Sequence, residues 1–303
     1  MLIWSRWKPN LYRPVSIHCR GEEPESVPVS NDCVALFSGG VDSAYSLWRH
    51  RAQPGVTRRR RIGRTVFVHG TDVPLENQKL AGLAIGAVKR MSESLNTPLS
   101  IVRTNVREFG MDWRDAHGAV LASVLHWFGE VFGAGLLAST LTIGEFDAPW
   151  GSHPLTDMLL GSERFRVLDD GIESNRLQKV AALGDWPEAM ECLRVCFHSA
   201  GDPVNCGECR KCILTKLMFL ASGLPLPRTL PGVPTANLIL RMRGILPWAE
   251  EQMEKILACA EARGLGAESW ARALRLRLNA QRGVRLITGM ARALGDHARR
   301  LGR

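Results

Sequence analysis

Short apolar runs alternate with stretches of helical periodicity from residue 33 to about residue 195, and this alternation limits the possible folds more than any other feature. Helices are predicted near 42–52, 75–94 and 112–132, with a further helix after the last run. The five runs that have the composition of buried strands are 33–37, 65–69, 99–104, 135–140 and 165–169. Strands that alternate with helices of this length usually form a parallel sheet covered on both faces. The sequence therefore predicts an α/β fold with a doubly wound parallel sheet.

The pattern changes toward both ends of the chain. The N-terminal residues combine tryptophan, tyrosine and proline with a polar linker, which predicts one or two short strands. Beyond residue 230 only helical periodicity remains, with helices predicted near 236–245, 247–263, 267–281 and 284–301. The predicted organisation is an N-terminal extension (1–32), an α/β domain (33–195), a cysteine-rich region (196–229) and a helical C-terminal extension (230–303).

The composition is that of a soluble globular protein, with 45% hydrophobic and 23% charged residues among 303. No run of about 20 apolar residues is free of charge, which argues against a membrane span. Charges and prolines near the N-terminus replace the apolar centre of a secretory signal, so a cytoplasmic location is expected. The net charge of +9 leaves room for an anionic partner such as RNA or a nucleotide, although the arginine-rich run 57–64, which includes Arg58 to Arg61, fits a solvated surface better.

The segment "CVALFSGGVDSAYSLW" (33–48) passes from a predicted strand through Ser-Gly-Gly into a predicted helix. A helix that starts at the carboxyl end of a parallel strand offers free N–H groups and a positive dipole end to an anion. Gly39 and Gly40 allow the backbone to approach that anion closely, and Ser38 and Ser43 add hydroxyl groups. The segment lacks the spacing and the lysine of a Walker loop, and it also lacks the dinucleotide-binding fingerprint.

The cysteines point to a metal site. Cys206, Cys209 and Cys212 form two C-x-x-C steps that share the middle residue, and Cys196 lies ten residues before the first. Four thiolates suit a closed, structural zinc site, although iron–sulfur clusters also use four cysteines. Cys192 is a competing ligand one helical turn before Cys196, but a buried helix cysteine is the better interpretation.

The segment Ser38-Gly39-Gly40-Val41-Asp42-Ser43 resembles the SGGxDS signature of the N-type ATP pyrophosphatases, the PP-loop enzymes. The resemblance implies the HUP-type α/β fold and a loop that holds the β- and γ-phosphates of ATP while a substrate attacks the α-phosphate. Asp42 is then the carboxylate that faces Mg²⁺. Adenine is expected against the backbone near Phe37, Val68 and His69.

The cysteine pattern C-x₉-C-G-x-C-x-x-C after such a domain looks like that of 7-cyano-7-deazaguanine synthase, over roughly residues 33–222. That family adenylylates a carboxylate, takes ammonia to form the amide, dehydrates the amide to a nitrile, and often forms dimers. The resemblance implies that the four cysteines bind Zn²⁺ and that Lys179, on a helix before them, contacts pyrophosphate. Arg176 lies on the same helical face, three residues earlier. Ordinary surface charge is the alternative for both cations.

The chain departs from the synthase pattern at two places. The stretch "VHGTDVPLENQKL" lacks the Asp-Tyr-Gly-Gln-like sequence, although Asp72 can take the acidic position, and Thr215 stands where an arginine is expected. The motifs HGxDxP, HGAxLAS, PWGSHPLxD and NCGxCxKC resemble more closely a broad group of synthase-like PP-loop proteins whose substrate is not assigned. This resemblance indicates a lineage and leaves the substrate open.

The loop after the fourth predicted strand adds further candidates. His153 and Asp157 lie four residues apart and could orient each other as an acid–base pair or bind a substrate, whereas a surface loop with a capping aspartate is the alternative. His117 could face the nucleotide, and Glu145 and Asp147 could give a second Mg²⁺ contact. All three are weaker candidates.

The predicted function is adenylylation of a carboxylate or amide oxygen of a small-molecule or peptide acid by ATP and Mg²⁺, followed by attack of a nitrogen nucleophile. A tRNA-modifying PP-loop enzyme and a non-catalytic ATP-binding module of a larger complex are the alternatives. The basic tail slightly favours RNA, whereas the absence of free catalytic cysteines speaks against sulfur transfer. A homodimer is possible, and no membrane partner is expected.

Overall fold

The computed structural model describes residues 2–16, 18–21, 30–56, 58–140, 142, 150–196, 198, 201–202, 204–243 and 247–283. Its helices and strands are, in chain order, α1 (Leu2–Trp7), β1 (Ser30–Leu36), α2 (Val41–Arg51), β2 (Ile62–His69), α3 (Gln78–Ser94), β3 (Leu99–Arg103), α4 (Trp113–His126), β4 (Phe132–Ala138), α5 (Pro154–Asp157), β5 (Arg166–Asp170), α6 (Arg176–Leu183), α7 (Pro187–Cys192), α8 (Arg210–Ala221), α9 (Ala236–Leu240), α10 (Pro247–Ala262) and α11 (269–283).

The five strands form one parallel sheet in the order β3-β2-β1-β4-β5. In the register of the central strands, Ala35 of β1 pairs with Thr65 of β2 on one side and with Leu136 of β4 on the other. The α/β class and the parallel sheet predicted from the alternation are therefore confirmed. The strand order reverses between β1 and β4, and the crevice at the carboxyl ends of two such strands is where open α/β sheets bind ligands.

Both faces of the sheet are covered, as the apolar composition of the strands requires. Val167 of β5 belongs to a buried cluster that includes Leu125 of α4, whereas Asp170 hydrogen-bonds to His50 of α2. Residues three apart on a strand point to opposite faces, so α4 and α2 cover different sides. The middle of each central strand is buried, with Val34 of β1 and Val66 of β2 both at 0% exposure.

The chain divides into two compact units, Met1–Asn205 with Pro227–Thr229 and Cys206–Leu226 with Leu230–Arg303. The first unit contains the sheet and also the N-terminal segment, in which Lys8 forms an ion pair with Asp115 of α4. The regular elements described in the second unit are all helices, and the guanidinium of Arg210 in α8 lies 4.9 Å from the centre of the Trp248 ring in α10. Within the described ranges, no helix has both the length and the apolar character needed to cross a membrane.

Some predicted elements differ from the structure. The short strands predicted in the N-terminal extension are wrong for residues 2–16, where α1 forms instead. The rings of Trp4 and Trp7 pack edge to face with their centres 5.5 Å apart. Residues three apart in the sequence are neighbours on the surface of a helix, so this contact suits a helix. The helix predicted over 112–132 ends at His126, because the residues after His126 form a turn and β4 begins at Phe132. The helix predicted over 284–301 lies outside the described residues.

Candidate nucleotide site and metal centre

The turn between β1 and α2 lies at the reversal of strand order. Gly39 has φ +73°, a left-handed conformation that favours glycine, and a Cβ there would come within 3.0 Å of Val88 Cγ1. Gly40 is the N-cap of α2 and gives the helix no side-chain cap, so the first N–H groups remain available to an anion. The hydroxyl oxygens of Ser38 and Ser43 lie 3.2 Å apart beside them. The local geometry is that of a phosphate-binding turn.

Two cations and one hydroxyl surround the carboxylate of Asp42 in the first turn of α2. Arg176 Nη2 lies 3.5 Å from Oδ2, and Lys179 Nζ lies 3.6 Å from Oδ1. Thr140, at the end of β4, donates a hydrogen bond to Oδ2 at 3.4 Å. The first turns of α2 and α6 and the end of β4 therefore meet at one carboxylate, at the carboxyl edge of the sheet.

The start of α6 explains why both cations reach this place. Asn175 caps the helix, since its side chain accepts from the N–H of Gln178 at 3.0 Å and its own N–H donates to the Gln178 side chain at 2.8 Å. Arg176 is then the first helical residue, and Lys179 follows one turn later on the same face. The side chain of Lys179 is fully buried and donates to the carbonyl oxygen of Ser139. The structure thus brings both sequence-predicted cations to the loop.

The residues predicted to face adenine lie at the carboxyl ends of β1 and β2. Phe37 is buried, and its N–H donates to the carbonyl oxygen of Val66 at 2.8 Å. Val68 and His69 are also buried, and His69 Nε2 lies 3.1 Å from the carbonyl oxygen of Pro74. Their role at adenine stays a prediction.

A cavity of about 520 Å³ opens beyond the ends of β2 and β3. Asp72 lies in its lining, together with Trp113 and Arg107. The Arg107 guanidinium lies 4.7 Å from the centre of the Trp113 ring, which gives the cavity one aromatic wall with a cation over it. The acidic position predicted for Asp72 therefore borders a space large enough for a small-molecule group.

The histidines of the sequence interpretation occupy structural positions. His153 is fully buried and caps α5, with Nδ1 accepting from the N–H of Leu155 at 3.1 Å, and its ring packs on Trp7 at 4.8 Å. Its described contact with Asp157 runs through the backbone, where the Asp157 N–H donates to the His153 carbonyl at 2.9 Å. Burial lowers the pKa of His117, and its Nδ1 lies 2.9 Å from the carbonyl oxygen of Trp113. Catalytic roles for these histidines stay predictions.

The weaker carboxylate candidates, Glu145 and Asp147, lie outside the described residues. Asp157, in contrast, is fully buried and accepts hydrogen bonds from Ser152 and Thr156. Burial raises the pKa of Asp157 above its usual value.

Asp169, at the carboxyl end of β5, is a residue that the sequence interpretation missed. Both of its carboxylate oxygens are buried and have no hydrogen-bond partner within the described part of the chain. Burial, reinforced by the charges of Asp157 and Asp170, raises its pKa to about 8, against the opposing effect of Lys179. Two adjacent aspartates at the end of a predicted parallel strand were the available signal, because that end is where ligands bind.

The four predicted cysteines come together, which confirms a cluster that could hold a metal ion such as zinc. The sulfur atoms of Cys196, Cys206, Cys209 and Cys212 lie within 4.8 Å of one another. Cys212 Sγ is 3.5 Å from Cys209 Sγ and 3.9 Å from Cys206 Sγ. Zinc–sulfur bonds of about 2.3 Å in a tetrahedron separate the sulfurs by about 3.8 Å, so the donor set fits a closed four-sulfur site. Cys192 is buried at the end of α7 and is not in the cluster.

We expect the purified protein to contain about one metal ion per chain and the Cys212→Ser variant to lose most of it, because a serine hydroxyl is a far weaker zinc ligand than a thiolate. Elemental analysis after gel filtration measures the content and separates zinc from iron. Cys19→Ser is the control, since Cys19 is exposed and outside the cluster. Full metal content in Cys212→Ser would show that these cysteines do not form the site.

Comparison with known proteins identifies no relative. No family model matches this chain, and neither the curated proteins nor the solved structures give a significant match. The chemistry that this chain can perform is therefore inferred from the loop, the cations around Asp42 and the cysteine cluster.

Proposed function

We propose that the chain binds ATP at the turn after β1 and transfers the adenylyl group to a carboxylate or amide oxygen of a small-molecule or peptide acid, releasing pyrophosphate. One observation carries the proposal. The Ser38–Ser43 loop lies at the reversal of strand order, and its Asp42 carboxylate is within 3.6 Å of two cations from α6. This arrangement suits a polyphosphate with a bound divalent cation better than it suits a lone phosphate.

The chain's own groups then have separate tasks. The N–H groups at the start of α2 and the hydroxyls of Ser38 and Ser43 bind the phosphates that leave. Lys179 and Arg176 stabilise the negative charge that develops on the leaving pyrophosphate. Asp42 supplies oxygen ligands of the kind that Mg²⁺ prefers, and the metal would neutralise phosphate charge there.

The reaction balances without a nucleophilic side chain. An oxygen of the acceptor attacks the α-phosphorus, the bond from that phosphorus to the bridging oxygen of the β-phosphate breaks, and pyrophosphate leaves with the electron pair. A nitrogen nucleophile then attacks the activated carbon, the bond from that carbon to the phosphate oxygen breaks, AMP leaves with the electron pair, and the proton lost from the nitrogen passes to solvent. Catalysis of this kind depends on positioning and on charge stabilisation, which is what the groups around Asp42 offer.

The test is whether any member of a panel of acids makes the protein convert ATP to AMP and pyrophosphate. The measured quantity is the acid-dependent exchange of labelled pyrophosphate into ATP. The Gly39→Ala variant is expected to lose at least about 100-fold of this exchange, because the added methyl forces the turn out of its left-handed conformation and away from the phosphates. The alanine methyl would also lie 3.0 Å from Val88 Cγ1.

Gly55→Ala is the matched control, since Gly55 has φ +71° with nothing within 4 Å of an added Cβ, against φ +73° for Gly39. Both substitutions place alanine in a left-handed conformation, at a cost of roughly 1–2 kcal/mol, but only Gly39 lies in the loop. Equal exchange by the two variants would refute the assigned site. Tight ATP binding without exchange for any acid would instead favour the non-catalytic binding module.

A further inference from the structure

Arg194 contacts the phosphate-binding turn through its backbone. Its N–H donates to the carbonyl oxygen of Gly39 at 2.9 Å, and its carbonyl oxygen would lie 3.5 Å from a Cβ on Gly40. The residue is only 5% exposed. The segment that follows α7 therefore packs directly against the two glycines of the loop and places a buried arginine beside them.

The guanidinium of Arg194 has little to compensate its charge. Its only described side-chain hydrogen bond runs from Nη1 to the carbonyl oxygen of Cys196, at a long 3.4 Å, and its buried Nε has no partner among the described residues. The charges that act on it are those of Asp72 and Cys196, neither of them in an ion pair with it in the described part of the chain. Because arginine stays protonated even when buried, this is a desolvated cation that forms no ion pair with a carboxylate within the described residues.

The two cations of α6 that lie near the loop differ from Arg194, because each of them has a carboxylate beside it. Arg176 and Lys179 both lie within 3.6 Å of Asp42. Removing a cation from water without pairing it destabilises a fold, and a bound anionic ligand would supply the missing opposite charge. The free N–H groups at the start of α2, which favour an anion, lie in the same turn.

We propose that Arg194 is an oxyanion-binding residue of this site and that its ligand is a phosphate group of the bound nucleotide. The inference rests on the proposed function, because it takes the phosphates to lie on the Ser38–Ser43 loop. It adds a third cation to the site, placed by the segment after α7, whereas the other two come from α6.

Binding of Mg²⁺·ATP and of inorganic pyrophosphate to the zinc-loaded protein, measured by calorimetry, tests the proposal. The Arg194→Met variant keeps an apolar side chain in place of the arginine stem and removes the charged guanidinium. Its dissociation constants for both ligands are expected to rise at least about tenfold, since a charge-assisted hydrogen bond to phosphate is lost. Arg194→Lys is expected to recover part of the loss. The melting temperature of Arg194→Met without ligand is expected to stay level or to rise, because a buried charge without a carboxylate partner among the described residues has gone.

Arg49→Met is the matched control. Arg49 is an arginine of α2 with a largely buried side chain that pairs with Glu173 and lies 3.8 Å from Asp170. Its replacement is expected to lower the melting temperature and to leave the affinity for ATP unchanged. The expected results for the two variants are therefore opposite. Loss of a ligand-binding cation weakens ATP binding without lowering the melting temperature, whereas loss of a structural cation lowers the melting temperature without weakening ATP binding.

Two outcomes overturn the inference while the proposed function stands. Unchanged ATP and pyrophosphate affinities in Arg194→Met with a lowered melting temperature would make the arginine structural. Loss of zinc from Arg194→Met would assign it to the Cys196 segment, so zinc content is measured in every variant. If the unmodified protein binds neither ATP nor pyrophosphate, it is the proposed function that fails.

Discussion

A Lys179→Met variant is expected to release pyrophosphate at least about 100 times more slowly than the unmodified protein while it remains folded. Lys179 Nζ lies 3.6 Å from Asp42 Oδ1 and donates to the carbonyl oxygen of Ser139 from a fully buried position. A preorganised donor aimed at developing charge is commonly worth a factor of about 100–1,000 in kcat. Methionine fills a similar volume, and Asp42 keeps its contacts with Arg176 and Thr140.

Initial rates of pyrophosphate release and thermal unfolding, measured on the same preparation, check this prediction. Lys89→Met is the control, because Lys89 lies on α3 with its side chain 65% exposed and pairs with Glu93 at 3.8 Å. An exposed pair of this kind contributes less than about 1 kcal/mol, so neither rate nor stability should change. A Lys179→Met protein that is folded and fully active would remove the lysine from the reaction.

The parts of the site that the sequence predicts are those encoded by short contiguous motifs. The turn at Gly39 needs a residue in a left-handed conformation between a strand and a helix, and the glycine of the Ser-Gly-Gly segment indicates this from the sequence alone. The cysteine cluster follows from ligand spacing, and the order of strands and helices follows from periodicity. The spacing of Arg176 and Lys179 indicates a shared helical face, but only tertiary structure shows that this face meets Asp42.

Residues whose significance lies in what surrounds them could not be found in this way. Arg194 and Asp169 matter because each is a buried ionisable group with at least one polar atom that has no partner within the described residues, and burial is a property of the packed fold. The contacts of the histidines could not be predicted from the sequence for the same reason, because they form only in the packed fold. The sequence presents His153 as a candidate acid or base, whereas its ring nitrogen caps α5 and its ring packs on Trp7 from the distant N-terminal segment.

Replacing Asp169 by asparagine is expected to remove most of a fall in stability that the unmodified protein shows as the pH rises from about 5 to about 8. Burial raises the pKa of Asp169 to about 8 from its usual 3.8, so the folded state keeps a proton that the unfolded chain has released. The stabilisation is complete below the unfolded pKa, declines through this window and is lost once the pH passes about 8. The slope is about 1.4 kcal/mol per pH unit, or roughly 4 kcal/mol over the window.

Urea unfolding at several pH values, with the free energies compared between the two proteins, measures this slope. The other groups that face Asp169 are Asp157 on α5, Asp170 on β5 and Lys179 on α6. They are present in both proteins, so their own titration largely cancels in the difference. The free energy of unfolding of Asp169→Asn should therefore gain steadily on that of the unmodified protein up to about pH 8 and run parallel to it above.

The neighbouring Asp170 provides a control of opposite sign. Burial alone would raise its pKa, but the hydrogen bond and charge of His50, the hydrogen bond from Ser46 and the charge of Arg49 together lower it. A carboxylate with a lowered pKa contributes stability above its unfolded pKa and loses it only as the pH falls through the folded pKa. Asp170→Asn should therefore be less stable than the unmodified protein throughout the range from about pH 5 to pH 8. A constant difference in the free energy of unfolding for Asp169→Asn would mean that Asp169 is ionised in the folded protein throughout this range.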